Sequence, residues 1–561
     1  MTTDDRPPAA RLGALTGATY GDEWWRHAVI YQIYPRSFAD TDGDGIGDLP
    51  GIRSHLDHAV DLGADAIWLS PIYPSPGLDV GYDVADHTAV DPVFGTEADF
   101  DQLVADAHGR GLRVILDLVM NHTSDQHAWF QASRASREGP FADWYLWRDP
   151  AGFDDDGTPQ PPNNWLSFFG GSGWQYDEPR QQFYMHTFLV EQPELNWRNP
   201  EVEAAQWQMV RGWLDRGVDG FRLDVFNAFL KHPELLANPA REGESPWDRQ
   251  EHIHDRDSPD FPELIARFRS ILDEQPGRMS VGELFASEPE RAPALFADRH
   301  LVFDWGLLAA PWSAEAYAAA IDGRERYFGE DRWLANVLSN HDQSRQATRL
   351  AASAGIDDTD AVARAAAVVL LTLRGTPFLY YGEELGTRDV PVPDDRIIDP
   401  PARRALVDPD FQWWNRDLCR SPIPWTPDAN GHGFTTGSPW LPFGDDASVR
   451  NVETESADPG SVLSTYRRLI GLRRSTDALR TGRFRRVELA TPDVLSYLRE
   501  TATERVFVVV DFAGEGRTVD LSGLGTRAWR PVGGTHVEPS TPGADGSLAL
   551  RPLEAVILVE A

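Results

Sequence analysis

Short apolar segments recur along the first two thirds of the chain, each bounded by turn-forming residues. Most intervals between them carry the amphipathic pattern of a helix, as in Thr96 to Arg110 and Pro262 to Glu274. Apolar strands that alternate with amphipathic helices predict a parallel sheet, and eight such units predict an α/β fold with a closed (β/α)8 TIM barrel. The eight predicted strands are Ala28 to Tyr34, Ala64 to Ser70, Arg113 to Val119, Val218 to Asp224, Met279 to Glu283, Leu301 to Asp304, Leu334 to Ser339 and Pro377 to Tyr381.

Two intervals are too long to be simple loops, and each predicts an insertion into the barrel. The first follows the third strand and is rich in Trp, Gly and Pro; the second follows the eighth strand and precedes a last barrel helix. Short alternating strands near the C-terminus predict an all-β sandwich domain. The predicted units are barrel residues 1–122 and 191–385, an inserted subdomain 123–190, a second insertion 386–456, the last barrel helix within 457–480, and the sandwich 481–561.

The composition narrows the classes of partner. The 561 residues carry a formal net charge of −36, which disfavours nucleic acid and anionic membranes because both bind basic surfaces. Cys419 is the only cysteine, which excludes an intrachain disulfide and a thiolate metal cage. The first residues lack a signal-peptide pattern, and the longest apolar run, Ala365 to Leu373, is too short to cross a membrane. We therefore expect a cytoplasmic protein, and its oligomeric state stays open.

The segment Gly220 to Val225 combines a buried strand with an arginine and an aspartate two residues apart. Residues i and i+2 of a strand point to the same face, so Arg222 and Asp224 are expected side by side. A guanidinium beside a carboxylate favours the ionised form that a nucleophilic aspartate needs. A structural ion pair has the same spacing, so this segment alone does not distinguish a structural from a catalytic role. Glu283 and Asp342 also follow apolar segments, and barrel enzymes build their active sites at such strand ends.

The loop Asp40 to Asp48 carries aspartates at alternate positions, separated by glycines that permit a tight wrap. Oxygen ligands arranged in this way can surround a hard cation such as Ca²⁺. The loop differs from an EF-hand, since its twelfth position is Gly51 and no helical pattern precedes it. A metal-free acidic turn is the alternative.

Together these motifs resemble the α-amylase superfamily, glycoside hydrolase family 13, and within it the α-glucosidase and oligo-1,6-glucosidase branch. The segment Trp24 to Phe38 is similar to the first barrel strand of that branch, and the resemblance covers the barrel, both insertions and the terminal domain. It implies that Asp224 is the nucleophile, Glu283 the general acid/base and Asp342 the third carboxylate of a retaining glycosidase.

The resemblance also implies which residues hold the terminal sugar. Tyr82 is implied to stack on it, and an Asp79–Arg420 pair to bind its 4-hydroxyl group. Such a pair closes the site into a pocket and predicts cleavage from the non-reducing end. The substrate-binding residues implied in this way are Asp79, Tyr82, His122, Arg222, Val225, His341 and Arg420.

Two further features carry over from the resemblance. In this branch a valine after the nucleophile, as Val225 is here, goes with a preference for α-1,6 bonds, whereas threonine, alanine or glycine goes with α-1,4. The motif Gln192 to Asn196 has Glu194 where aspartate is usual, which leaves its usual contact open. The acidic loop is implied to bind Ca²⁺, or Mg²⁺, through Asp40, Asp42, Asp44, Asp48 and the carbonyl of Ile46.

The expected activity is therefore that of a retaining exo-α-glucosidase acting on short α-glucosides of the maltose or isomaltose type. A transglycosylating relative (a trehalose synthase, a sucrose isomerase or a glucosyltransferase) is the main alternative, because the same three carboxylates serve it. A non-catalytic barrel partner of a membrane transporter is a remote alternative, since such proteins lack the three carboxylates.

Overall fold

Eight parallel strands close into a barrel, and each overlaps one of the predicted segments. The first strand pairs in parallel with both the second and the eighth, which closes the ring. The predicted TIM barrel is confirmed. The strands are β1 (Ile30–Ile33), β2 (Ala66–Leu69), β3 (Arg113–Leu118), β4 (Gly220–Leu223), β5 (Met279–Gly282), β6 (Leu301–Asp304), β7 (Ala335–Val337) and β8 (Thr376–Tyr380).

This computed structural model describes residues 23–284, 292–296, 299–408, 411–525 and 528–561. The predicted barrel range begins at residue 1, so its residues 1–22, with the segment in which no signal peptide is predicted, lie outside the described residues. Within the described residues, no helix is both long enough and apolar enough to cross a bilayer.

The barrel interior is filled by side chains and is not a channel. Trp68 on β2 packs against Phe303 on β6 and Phe378 on β8, with ring centroids 5.7 and 6.2 Å apart. All three side chains are buried. Because inward-pointing residues alternate along each strand, these rings form a packed layer beneath the carboxyl ends of the strands.

Helices surround the barrel, and their ends follow local capping chemistry. The helix Glu97–Gly109 begins at a capping box in which Thr96 and Asp99 satisfy each other's backbone amides. The helix Val462–Ser475 closes the barrel, since Arg473 near its end donates to the carbonyls of Leu371 and Gly375. The principal helices are Leu49–Ser54, Leu56–Leu62, Glu97–Gly109, Pro200–Asp215, Phe261–Leu272, Ala292–Phe296, Trp305–Ala309, Ala314–Phe328, Gln346–Ala354, Thr359–Thr372 and Val462–Ser475.

The chain between β3 and β4 holds a small sheet whose strands are Trp147–Arg148, Gln182–Met185 and Trp174–Asp177, beside the helix Ala128–Ala135. After β8 comes a stretch of short helices that includes Pro400–Val407. Both stretches lie where insertions are predicted. The limits assigned to the domains stay predictions.

The C-terminal region is all-β, as predicted. A five-stranded antiparallel sheet faces a two-stranded one, and residues such as Phe507, Val519 and Leu548 are buried together. The larger sheet contains Arg483–Arg486, Val494–Glu500, Arg505–Asp511, Ala555–Glu560 and Trp529–Gly534, and the smaller contains Arg517–Asp520 and Ser547–Leu550.

Candidate active site

The three predicted catalytic carboxylates lie at the carboxyl-end face of the barrel and line one cavity of about 390 Å³. Asp224 and Glu283 directly follow β4 and β5, and Asp342 lies in the loop after β7. We call these three side chains the carboxylate group. Parallel barrel strands bring their carboxyl ends to one face, which is why residues far apart in sequence meet here.

Arg222 connects two members of the carboxylate group. Its Nη1 lies 2.8 Å from Oδ1 of Asp224 and 2.8 Å from Oδ1 of Asp117, and its Nη2 lies 2.5 Å from Oε2 of Glu283. The expected neighbourhood of Arg222 and Asp224 is confirmed. Because one guanidinium contacts both Asp224 and Glu283, these two carboxyl groups are held at the same side of the cavity.

Burial raises the pKa of both carboxyl groups beside Arg222. For Asp224 burial is the largest cause; Arg222 opposes it, while the negative charges of Glu283 and Asp117 add to it. Arg222 therefore acts on Asp224 in the expected direction, towards the ionised form, but burial outweighs it and the pKa of Asp224 rises. Burial and the charge of Asp342 likewise raise the pKa of Glu283, as the resemblance implies for a general acid.

Asp342 has the opposite electrostatic environment. Its Oδ1 accepts hydrogen bonds from Arg420 at 2.8 Å and Arg416 at 3.3 Å, and His341 Nε2 lies 3.1 Å from its Oδ2. Burial alone would raise the pKa of Asp342, but His341 and the two arginines outweigh it and hold that pKa well below its usual range. The pKa of Asp342 thus lies below its usual range, whereas that of Glu283 lies above its own.

The predicted partner of Asp79 is wrong. Asp79 Oδ1 accepts from Arg416 Nη2 at 2.7 Å, whereas Arg420 donates to Asp342 and, through Nε at 2.8 Å, to the carbonyl of His341. The short helix Arg416–Cys419 explains the exchange: Arg416 begins it on the cavity side, and Arg420 follows it, fully buried. Two arginines four positions apart in one motif are equally plausible partners until this turn is known.

Tyr82 and His341 stack on each other. Their rings are parallel within 1° at 5.1 Å, and the Tyr82 hydroxyl donates to Asp117 at 2.9 Å. Tyr82 belongs to the cavity wall, and His341, like Arg222 and Arg420, lies behind it. His122 is also in the wall, with Nε2 3.0 Å from the carbonyl of Tyr82. The hydrogen bonds from His122 and His341 to a sugar stay predictions.

Val225 lies in the cavity wall with Asp224 and Glu283. Its amide nitrogen is 3.4 Å from Glu283 Oε2, and its φ of 36° lies in the left-handed region. A β-branched residue rarely adopts that conformation, which costs about 1–3 kcal/mol and is found mostly at functional sites. The carboxyl end of β4 is therefore strained where Asp224 is presented.

The other end of the cavity is formed by aromatic side chains that the sequence does not predict. Phe168 packs against Trp247 and Trp413 with centroids 5.3 and 5.6 Å apart, and Phe169 packs against Trp413 at 5.3 Å. We call these rings, with Phe188, the aromatic collar; all five line the cavity. They come from four separate loops without strand or helix periodicity, so only the folded chain brings them together.

Polar residues of the segment 241–256 complete this end. Arg241, Asp248, His252 and Arg256 all line the cavity. In sequence, the segment follows β4 and lies between Asp224 and the helix Phe261–Leu272.

In the acidic loop, carboxylate oxygens of Asp40, Asp42 and Asp48 lie within 4.8 Å of one another. Among the described residues, none of the loop aspartates forms a salt bridge, so their negative charge is not balanced by an arginine. Burial raises the pKa of Asp44, and the neighbouring aspartates raise it further. A hydrogen bond from the Ile46 amide offsets part of this rise. Converging, unbalanced carboxylates fit a divalent cation with oxygen ligands. The carbonyl of Ile46 as a ligand stays a prediction.

The contact left open for Glu194 is a buried ion pair. Glu194 Oε2 lies 2.5 Å from Nζ of Lys231, the only lysine of the chain, and both side chains are almost fully buried. Lys231 also donates to the carbonyl of Ala228 at 2.8 Å. The pair ties the segment just after the predicted inserted subdomain to the segment that follows β4.

Comparison with known proteins is consistent with this geometry. The family model "Alpha amylase, catalytic domain" matches residues 32–482. The chain therefore belongs to the α-amylase family of glycoside hydrolases, family 13, in the branch of the α-glucosidases and oligo-1,6-glucosidases.

Similar curated proteins have related activities. A probable alpha-glucosidase of Rhizobium meliloti is 42% identical over 89% of this chain and 91% of its own length. An oligo-1,6-glucosidase of Heyndrickxia coagulans is 36% identical over 95% and 99%. A trehalose-6-phosphate hydrolase of Escherichia coli is also 36% identical, over 96% and 99%.

Solved structures extend the range to transfer reactions. An alpha-glucosyl transfer enzyme, XgtA, superimposes with a TM-score of 0.88 at 40% identity and covers 96% of this chain and 99% of its own. The trehalulose synthase of Pseudomonas mesoacidophila MX-45 superimposes with a TM-score of 0.84 at 34% identity, over 96% and 99%. The protein is thus a family 13 enzyme in a branch that includes both hydrolases and glucosyl-transferring enzymes.

Proposed function

We propose that this enzyme hydrolyses short α-glucosides from the non-reducing end and retains the anomeric configuration. The observation that carries the proposal is the shared guanidinium: Arg222 contacts Asp224 with one nitrogen and Glu283 with the other. In a cavity whose wall includes the Asp79–Arg416 pair, this arrangement suits attack and protonation at the terminal glycosidic bond.

The reaction then has two balanced steps. Asp224 attacks C1 of the terminal glucose as the C1–O bond breaks, and Glu283 transfers its proton to the leaving oxygen, which departs as an alcohol. Glu283, now ionised, takes a proton from water; the water oxygen bonds to C1, and the ester to Asp224 breaks. The first step therefore requires the proton on Glu283 and an ionised Asp224.

A time course on maltose and isomaltose tests this proposal. With an aryl α-glucoside, whose only sugar product is the terminal glucose, proton NMR of the first minutes should show α-glucose before mutarotation. With the two disaccharides, longer products should stay minor. Initial release of β-glucose would overturn retention. Internal cleavage of a maltoheptaose chain would overturn the exo mode.

Glucosyl transfer is the second candidate, favoured by the aromatic collar and by the similarity to XgtA. Apolar rings at the outer end would bind an acceptor sugar in place of water and direct it to the glucosyl ester. Transfer products that exceed free glucose at millimolar substrate would identify this activity.

We also propose that the acidic loop binds a structural Ca²⁺, with Mg²⁺ as the alternative. Asp40, Asp42 and Asp48 supply converging carboxylates, and bound metal would neutralise their repulsion. Adding Ca²⁺ to chelated protein should raise Tm by about 2 °C or more, because a ligand of the native state stabilises it. Asp42→Asn should lose this response and Asp155→Asn, at an acidic turn elsewhere, should keep it. An unchanged Tm in the parent protein would refute the metal.

A further inference from the structure

One buried arginine in the cavity wall forms no ion pair with the described residues. Arg256 is 9% exposed and lines the cavity, yet among those residues its guanidinium makes no hydrogen bond or salt bridge. Its Nε is buried without an acceptor there, and its guanidinium carbon lies 4.9 Å from the centroid of the Trp247 ring. A buried charge is costly unless it is paired, so this arrangement needs an explanation.

The neighbouring charged groups are engaged elsewhere. Asp255 Oδ2 lies 2.7 Å from Nδ1 of His252, and the other ring nitrogen of His252 lies 3.0 Å from the carbonyl of Trp247. Asp248 accepts from the amide and hydroxyl of Ser245 at 3.2 and 2.6 Å. Burial raises the pKa of Asp255, but the hydrogen bond with His252 and, at longer range, the charge of Arg256 outweigh it and lower that pKa.

Arg416, another arginine of the cavity wall, differs from Arg256 in its ion pairs. Arg416 contacts Asp79 at 2.7 Å and Asp399 at 2.6 Å, so its charge is balanced within the protein. Among the described residues Arg256 has no ion-pair partner at contact distance, so an anion in the cavity would supply one. The long-range field of a chain with net charge −36 repels anions, so any preference for one must come from direct contact.

The position of Arg256 selects the part of the substrate that it would meet. In the proposed reaction the terminal glucose lies against Asp224, Tyr82 and Asp79, which leaves the outer end for the leaving group. A guanidinium is a planar fork that binds carboxylate or phosphate oxygens in pairs, and the stacked Trp247 ring holds it in place. The aromatic collar beside it offers apolar surface to the rest of the leaving group.

We propose that Arg256 makes this enzyme selective for α-glucosides whose leaving group carries a carboxylate or phosphate. The inference rests on the proposed glucosidase activity and names its substrate class. Trp247 is a positioning residue in this scheme, because it acts on the anion through Arg256.

Matched substrates test the proposal. We would measure kcat/KM for 4-nitrophenyl and 4-carboxyphenyl α-glucosides, and for maltose and maltose phosphorylated at its reducing-end glucose, in the parent enzyme and in Arg256→Gln. Arg256→Gln should lower kcat/KM about ten-fold or more for the anionic member of a pair, and change the neutral member less than three-fold. Arg256→Lys should retain part of the preference that Arg256→Gln loses. Arg485→Gln, a surface control, should behave like the parent enzyme.

The ratio within each pair separates selectivity from folding, because a general loss of structure lowers both members equally. Preference for one anion only would identify the source as carboxylate or phosphate. Hydrolysis of neutral glucosides with no preference for anions, or equal losses for both members in Arg256→Gln, would overturn the inference and leave the proposed function intact. Absence of hydrolysis for every substrate would instead overturn the proposed function.

Discussion

The two ends of the catalytic cavity are built from different parts of the chain. The carboxylate group lies directly at strand ends, and its members are linked to Arg222, Arg416 and Arg420 by short ion pairs. The aromatic collar and Arg256 come from loops, and the rings meet mainly through edge contacts 5–6 Å apart. We infer that the barrel fixes the chemistry at one end, while loop sequence can change the substrate at the other.

The largest effect is expected at the carboxylate group. Asp224→Asn removes the nucleophile without changing its size, so kcat should fall by at least about 10³-fold. Steady-state assays with an activated aryl α-glucoside measure this, with Asp155→Asn as the surface control. Retention of full activity would show that the strand ends do not perform the chemistry.

Substitutions of Arg416 and of Arg420 should affect the recognition of the terminal glucose differently. Arg416→Lys loses the paired contacts to Asp79 and Asp399, and we expect kcat/KM to fall roughly 10- to 100-fold. If Arg416 and Asp79 bind the 4-hydroxyl group, a 4-deoxyglucoside should lose most of its disadvantage in this variant. The same recovery in Arg420→Lys would restore Arg420 as the partner and contradict the geometry.

The pH dependence should distinguish the two ends next. The acid Glu283 must be protonated, and burial together with Asp342 raises its pKa, so kcat/KM should decline only above the usual glutamate range. Arg420→Gln removes a positive charge near Asp342, raises the pKa of Glu283 further and moves the alkaline limb to higher pH. Trp413→Ala, which changes no charge, should lower kcat/KM and leave the limb in place. A shifted limb in Trp413→Ala would mean that the ends are electrostatically coupled.

Val225 should give the smallest effect. Val225→Thr exchanges a methyl for a hydroxyl in the wall, and the ratio of kcat/KM for isomaltose to that for maltose should change by roughly ten-fold or less in favour of maltose. A ratio that stays constant would remove Val225 as a determinant of linkage and leave that role to the loops.

The sequence predicts the carboxylate-group end far better than the collar. The apolar pattern predicts β4, and the i, i+2 spacing predicts that Asp224 lies beside Arg222. The three carboxylates are predicted to meet because the carboxyl ends of parallel barrel strands lie at one face. The partner of Asp79 could not be predicted, since it depends on one turn of helix between Arg416 and Arg420. The raised pKa of Asp224 could not be predicted either, because it depends mainly on how deeply the folded chain buries that carboxyl group.

The collar and Arg256 show why the rest was missed. Phe168, Trp247 and Trp413 stand in loops whose folding leaves no periodic pattern in the sequence. The isolation of Arg256 is a property of its surroundings: the same residue beside Asp255 would ordinarily be interpreted as a local ion pair. Only the contact of Asp255 with His252 reveals the difference.

The buried Lys231–Glu194 pair has a practical consequence. As this chain has a single lysine, and its amine is enclosed, reagents that acylate side-chain amines should find no side-chain target in the native fold. Acylation of that amine, or cleavage after it by a lysine-specific protease, would then report the opening of the buried contact between Lys231 and Glu194. The rate at which this single residue is modified would therefore measure how often the native fold opens there.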